Sequence, residues 1–166
     1  MKSNICIACV SNEYAKLIAK LLSDKLDMYF ADVSELIQFD LIDINAAQQT
    51  CGPDYIKKIE RGKIKYVCSF DNTCISVDYA MLNDSNNISA VLEKCVLVCL
   101  NISKAKYKSM QQNTALKMAE NKLNNEMFDT RTKLLLANAD VAVKVSVKDG
   151  HIVDKIIKKL NEYYKK

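Results

Sequence analysis

The unit formed by residues 4–26 constrains the fold most, because it predicts a buried strand followed directly by an amphipathic helix. Residues 5–10 are apolar or small without interruption, as in a strand covered on both faces of a sheet. Ser11 or Asn12 is a suitable helix cap, and Glu13 places a negative charge in the first helical turn, where the helix dipole favours one. The helix then presents one apolar stripe, made of Tyr14, Leu17, Ile18, Leu21, Leu22 and Leu26.

Four further runs of strand length follow, and helical patterns separate them. The predicted strands are residues 28–33, 65–70, 95–100 and 141–147. The predicted helical segments are residues 34–49, 55–60, 103–137 and 152–160, with a further short helix somewhere within 71–87. Gly52-Pro53 is the clearest break, because proline fixes its own φ and disfavours a helical conformation in the preceding residue.

Five strands that alternate with helices predict an α/β fold, a three-layer α/β/α sandwich around a five-stranded parallel sheet. Residues 95–100 are wholly apolar, which is typical of a central strand. In residues 141–147 large apolar side chains alternate with small or polar ones, which is typical of an edge strand with one wet face. We therefore expect the first and fourth strands to be central and the fifth to lie at an edge.

The size and composition of the chain are those of an ordinary globular protein. The 166 residues are 49% hydrophobic and 27% charged, which suits a single domain over residues 1–166. No apolar run approaches the roughly 18 residues that a membrane-spanning helix needs. The first residues show no secretory pattern, and we therefore expect a cytoplasmic protein that does not contact a membrane.

The net charge of +4 comes from lysines spread along the whole chain. Diffuse lysine is typical of a solvated surface, whereas nucleic-acid binders more often show arginine clusters interleaved with aromatic residues. This chain has only two arginines, Arg61 and Arg131. Nucleic-acid binding is therefore not expected.

The seven cysteines are an odd number without a secretory context, which argues against a disulfide framework. Cys6 and Cys9 are three residues apart on a strand, so their side chains point to opposite faces. Cys95 and Cys99 share a face but lie about 13 Å apart by strand rise, too far to share a zinc ion or a disulfide. The cysteines are predicted to be core residues, and no metal site is expected.

Several stretches carry a resemblance to a known family. They are residues 17–26 followed by Phe30-Ala31-Asp32, then residues 96–103, and then residues 139–145 with Arg131 shortly ahead of them. In these stretches the chain resembles the shikimate kinases, which are P-loop small-molecule kinases, over nearly its whole length. The resemblance implies strand order 2-3-1-4-5, ATP and magnesium as cofactors, and phosphoryl transfer to a small molecule.

The phosphate-binding loop of that family is where the chain departs from it. The pattern G-x-x-x-x-G-K-[ST] would fall on Cys9, Tyr14, Ala15 and Lys16, so the glycines, the lysine and the magnesium-binding hydroxyl are all replaced. The loop length is interpreted as kept. Lys16 lies one residue late, and a one-residue slip turns a side chain about 100° around a helix, so Lys16 is predicted to point to solvent.

Other parts that the resemblance implies are also altered. The glycine-rich substrate segment after the third strand corresponds to residues 70–73, which contain Asp71 but no glycine. Asp32 stands where the family has an acidic residue near the magnesium, and Ser34 replaces the second, substrate-contacting acidic residue. The mobile lid of the family brings an arginine to the phosphates, and no arginine lies between Arg61 and Arg131.

Each candidate residue has a structural alternative. Arg131 fits either a contact to an anionic small molecule or an ion pair, and Asp32 fits either a ligand site at the carboxyl edge of the sheet or a loop cap. Asp71 is a weaker candidate of the same kind. His151 stands alone beside a turn, and a surface role is favoured over metal binding or catalysis.

Three hypotheses remain open. The first is a shikimate-kinase-like pseudoenzyme without cofactors, which binds an unknown protein partner or a small anionic ligand. The second is an active ATP- and magnesium-dependent kinase whose phosphate site is rebuilt from Ser11, Asn12, Lys16 and lid lysines, namely Lys104, Lys106 and Lys108. The third is an interaction module that uses the lysine-rich region 103–137.

Overall fold

The strands and helices of this computed structural model alternate along the chain, and the structure describes residues 2–41, 43–112, 125–146 and 150–165. The strands are β1 (Asn4–Ala8), β2 (Tyr29–Asp32), β3 (Thr73–Ser76), β4 (Cys95–Ile102) and β5 (Val141–Val145). The helices are α1 (Asn12–Leu26), α2 (Val33–Leu41), α3 (Ile44–Cys51), α4 (Pro53–Cys68), α5 (Ser85–Lys94), α6 (Lys104–Gln112), α7 (Asn125–Asn138) and α8 (Ile152–Tyr164). A short 3₁₀ helix spans Met81–Asn83.

The strands form one five-stranded parallel sheet in the order β2-β3-β1-β4-β5. This confirms the predicted architecture, the central position of β1 and β4, and the edge position of β5. In β5 buried and exposed residues alternate, as predicted for a strand with one wet face. Every residue of β1 is buried, because helices cover both faces of the sheet at its centre.

Helix α1 packs on the sheet through a narrower stripe than predicted. Its buried face includes two alanines, Ala15 and Ala19, together with Ile18 and Leu22. Leu17 and Leu21, which were predicted to be core residues, are 44% and 45% exposed. Small side chains on the buried face bring the helix close to the sheet, and the larger leucines are left at the rim of the contact.

The prediction of the third strand was wrong. Residues 65–68 lie in α4, which continues through Gly62 instead of ending there, and β3 begins only at Thr73. The apolar residues Val67 and Cys68 of the predicted strand are buried as part of α4, together with Ile64. The true strand, Thr73-Cys74-Ile75-Ser76, was hidden because its buried end residues carry hydroxyl groups.

The predicted helical segment 34–49 is divided in the structure. Residues 34–49 form parts of α2 and α3, and the Asp43 side chain caps α3 by accepting a hydrogen bond from the Ala46 N–H at 2.9 Å. Within the predicted helical segment 103–137, residues 104–112 lie in α6 and residues 125–137 lie in α7, while residues 113–124 lie outside the described residues. In the described part of the chain, no helix has the length and apolar character needed to cross a membrane.

Candidate functional site

The carboxyl ends of β1, β2 and β3 meet at one edge of the sheet. Asp32, the last residue of β2, is in register with Ser76, the last residue of β3, and Ser76 is in register with Ile7 of β1. In α/β folds ligands bind outside this edge, where the strands feed into loops and helices. The candidate site is therefore built from the segments that follow these three strands.

The connection from β1 to α1 is only three residues long, because α1 already begins at Asn12. Asn12 and Glu13 lie in the first helical turn, which confirms the predicted cap at Ser11. The connecting residues Cys9, Val10 and Ser11 are 0%, 3% and 3% exposed, and Ser11 has an extended backbone. The segment is thus a tight buried link, and it does not form an open loop around an anion.

The first turn of α1 also carries a large side chain where the phosphate-loop pattern has its second glycine. Tyr14 is buried there, and the ammonium group of Lys106 on α6 lies 5.8 Å from the centre of its ring. A cation over an aromatic face is attracted by the negative charge of the ring face. The contact holds α6 against the start of α1, so the aromatic ring and a lysine fill the space beside that helix end.

Asp32 uses both oxygens of its carboxylate inside the protein. One oxygen accepts a hydrogen bond from the Glu35 N–H at 2.8 Å, which caps α2, and the other accepts one from the Ser76 hydroxyl. The side chain lies at the border of the buried interior. The structure therefore supports the capping role that the sequence left open for Asp32.

Lys16 does not simply point to solvent, and that prediction was wrong. Its ammonium group lies 2.7 Å from a carboxylate oxygen of Glu35, and its side chain is only 33% exposed. The Glu35 carboxylate accepts a hydrogen bond from Lys16 and thereby raises the lysine pKa above its ordinary value, against a smaller opposing effect of burial. The ion pair joins α1 to the start of α2 and balances the positive charge of the protonated lysine.

Arg131 contacts the segment that follows β3. Its guanidinium donates a hydrogen bond to the Tyr79 hydroxyl and lies over the Tyr79 ring, 4.5 Å from the ring centre. The Tyr79 N–H in turn donates to the Asn12 side-chain oxygen at 3.2 Å. These contacts connect α7, the segment after β3 and the start of α1 into one cluster, which we call the Arg131 cluster.

Asp78 belongs to the same cluster and was missed from the sequence. Its carboxylate accepts a hydrogen bond from the Ala80 N–H at 2.7 Å. Burial raises its pKa above the ordinary value, although the Ala80 N–H and the positive charge of Arg131 act in the opposite direction. Asp78 and Tyr79 follow the true β3, so the sequence would have pointed to them only if that strand had been placed correctly.

Asp71 was predicted to follow the third strand, and this placement was wrong. It precedes β3 at the amino edge of the sheet, where its carboxylate accepts a hydrogen bond from the Ser3 hydroxyl at 2.8 Å. The opposite edge holds Asp32 and the Arg131 cluster, so Asp71 does not join them.

His151 is exposed as predicted, and its Nδ1 lies 3.6 Å from a carboxylate oxygen of Asp154. Among the described residues, no three acidic, cysteine or histidine side chains are grouped so that they could hold a metal ion.

Replacing Asp78 with asparagine is expected to stabilise the protein at pH 7. Because the pKa of Asp78 is raised in the folded protein, its ionised form costs stability at a pH above the folded pKa. That cost disappears when the pH falls below the unfolded pKa of about 3.9, since the group is then protonated in both states. Urea unfolding should show the gain of Asp78→Asn at pH 7 shrinking towards pH 3, and a variant that is less stable at pH 7 would contradict this assignment.

Comparisons with known proteins agree with the fold. The family model described as shikimate kinase matches residues 16–161, while no curated protein matches the chain significantly. The shikimate kinase of Bacteroides thetaiotaomicron is similar in structure with a TM-score of 0.71 at 17% identity, covering 98% of each chain. The Acinetobacter baumannii enzyme in complex with shikimate has a TM-score of 0.77 at 13% identity, covering 98% of this chain and 93% of the other. The Aquifex aeolicus enzyme has a TM-score of 0.72 at 20% identity, covering 97% and 96%.

Proposed function

Because this chain belongs to the shikimate kinase family, we propose that it keeps the family fold without phosphoryl transfer and serves as a binding or regulatory protein. The observation that carries the proposal is the buried three-residue connection between β1 and α1. Phosphoryl transfer depends almost entirely on positioning the phosphates and neutralising their charge. A connection without glycine, followed by Glu13 and a buried Tyr14, provides neither.

The residues present do not fit ATP and magnesium in the arrangement that the family pattern implies. Both carboxylate oxygens of Asp32 accept hydrogen bonds within the protein, and Lys16 is paired with Glu35. Freeing either group would require an internal contact to be broken, with a cost for any buried polar atom that loses its partner. We accordingly propose that the protein functions without a nucleotide cofactor.

The Arg131 cluster supports a role in binding. The hydrogen bond of Arg131 goes to a neutral phenol, and the guanidinium also interacts with the Asp78 carboxylate, so an anionic group would share its positive charge with Asp78. We propose a small anionic ligand or an acidic segment of a protein partner as its target.

All seven cysteines are free thiols, which suits a reducing compartment, and we propose that the protein acts in the cytoplasm.

A thermal-shift and transfer experiment tests this function. Purified protein is titrated with shikimate, inorganic phosphate and ATP with magnesium, and formation of phosphorylated shikimate is measured in parallel. We expect no turnover with ATP. A bound anion at 100 times its dissociation constant should stabilise the protein by about 2.7 kcal/mol. Phosphorylated shikimate at a catalytic rate would overturn the proposal.

Two variants on α7 connect any anion effect to the proposed site. Arg131→Ala should remove the stabilisation by an anion, whereas Lys133→Ala is a matched control that removes an exposed positive charge from the same helix. An equal loss in both variants would indicate a general charge effect and would contradict binding at Arg131. If no small molecule shifts the wild type, a protein partner, including one bound through residues 103–137, becomes the favoured target.

The alternative function is an active kinase with a rebuilt phosphate site, and one contact favours it. Lys106 reaches the first turn of α1, where its ammonium group lies over the Tyr14 ring, and Ser11, Asn12 and Lys16 are within three residues of Tyr14 in the sequence. Lys104 is paired with Asp129 at 2.7 Å. If turnover is found, Lys16→Ala should abolish it and Lys20→Ala, an exposed lysine of the same helix, should not. Turnover that survives Lys16→Ala would exclude this rebuilt site.

A further inference from the structure

Two thiols lie close together near the amino edge of the sheet. The sulfur atoms of Cys68 and Cys95 are 3.6 Å apart, although the residues are 27 positions apart in the sequence. Cys68 ends α4 and Cys95 begins β4. A disulfide needs a sulfur separation of about 2.05 Å, so the two sulfur atoms would have to move closer by about 1.5 Å to bond.

A groove gives small molecules access to one member of this pair. It encloses about 1030 Å³ at the amino edge of the sheet, and Cys68 lines it together with Asn4, Ser69 and Tyr164. Cys95 is fully buried, and Cys68 is 3% exposed. Of the two thiols, Cys68 is therefore the one that an oxidant in the groove would meet first.

The two thiols differ in acidity. The contact between the two sulfur atoms, in which either thiol can be the donor, lowers the pKa of Cys68 below its ordinary value. The same contact, together with burial, raises the pKa of Cys95. Burial raises the pKa of the neighbouring Cys6 well above its ordinary value. Because the thiolate is the reactive form and Cys68 is the thiol that lines the groove, Cys68 is the candidate nucleophile of the pair.

We propose that Cys68 and Cys95 form a reversible disulfide when the protein meets a peroxide, which makes this pair an oxidation site. The Cys68 thiolate attacks a peroxide oxygen, so a sulfur–oxygen bond forms, the oxygen–oxygen bond breaks and hydroxide leaves. The Cys95 sulfur then attacks the sulfenic acid, its proton leaves with the hydroxyl group as water, and the sulfur–sulfur bond forms. The two thiols lose two electrons and two protons, and hydrogen peroxide becomes two water molecules.

The disulfide would join the end of α4 to the start of a central strand. It would close a loop that contains β3 and α5, and such a crosslink restricts the unfolded chain. The oxidised protein should therefore unfold at a higher temperature than the reduced protein. This inference is independent of the proposed function, because the pair lies at the opposite edge of the sheet from the Arg131 cluster.

Thiol counting and peptide mapping test the inference. After treatment with hydrogen peroxide, the seven thiols counted in unfolded protein should fall by two for the pair, in addition to any loss at the exposed Cys51, and the two should return with dithiothreitol. Trypsin combined with chymotrypsin, which cuts after Phe70 and Leu97, separates Cys68 from Cys74 and Cys95 from Cys99. Mass spectrometry of the wild type should then show a Cys68–Cys95 peptide pair that is two hydrogen atoms lighter than the reduced peptides.

Variants and an internal standard make the result decisive. Cys68→Ala and Cys95→Ala should each lose the linked peptides, whereas Cys99→Ala, a buried cysteine on the same strand as Cys95, should keep them. The exposed Cys51 shows whether the oxidant was effective. Oxidation of Cys51 without the linked pair in the wild type, or a link from Cys68 to Cys6, would overturn the inference.

Discussion

Replacing Asn4 with alanine is expected to lower the free energy of unfolding by about 3 kcal/mol, because buried polar groups would lose their partners. The Asn4 amide nitrogen donates to the carbonyl oxygens of Cys68 and Phe70, and its oxygen accepts a hydrogen bond from the Thr73 N–H. Asn4 therefore connects β1 to the end of α4 and the start of β3. Each buried group left without a partner costs roughly 1–3 kcal/mol.

Urea unfolding measures this effect, and Asn138→Ala is the matched control. Asn138 is exposed, and its amide donates to the Leu134 carbonyl oxygen of its own helix at 2.9 Å. Its replacement should change stability by no more than about 0.5 kcal/mol, as is usual at the surface. A loss below about 1 kcal/mol in Asn4→Ala would show that this side chain does not hold the junction together.

Replacing Leu97 with alanine is expected to cost about 2–5 kcal/mol, because it removes packed methyl groups from the centre of the sheet and leaves a cavity. Leu97 is fully buried in β4, in register with Cys6 of the neighbouring β1. Leu21→Ala makes the same chemical change on the exposed rim of α1 and should cost far less. Equal losses in the two variants, measured by urea unfolding, would contradict the assignment of β4 to the core.

The strongest sequence predictions concerned elements whose residues show their environment directly. An unbroken apolar run indicated β1 and β4, and alternation indicated the edge strand β5, because burial on one or two faces restricts which side chains a strand can carry. The third strand was missed because its side chains do not show this apolar pattern. Thr73 and Ser76 are buried with their hydroxyl groups hydrogen-bonded, so β3 lacks the apolar pattern of a core strand.

The candidate site was predicted less completely than the fold. Asp32 and Arg131 were identified, and the structure shows both at the carboxyl-edge region with partners that the sequence did not indicate, Ser76 and Tyr79. Asp71 was assigned to the wrong edge, because the misplaced third strand moved the following segment with it. The charged partner of Lys16 was missed because a helix position alone does not reveal which residue of another helix faces it.

Residue order alone was enough to determine the alternation of strands and helices, the central and edge strands, and the absence of glycine from the connection after β1. These properties depend on residues that are close in sequence, because the spacing of apolar side chains and the conformational freedom of each residue can be read locally. Only the tertiary structure decided that Arg131 meets Tyr79 from 52 positions away and that two distant thiols are in contact. Such contacts depend on which strands pair and how helices pack, and no local pattern specifies them.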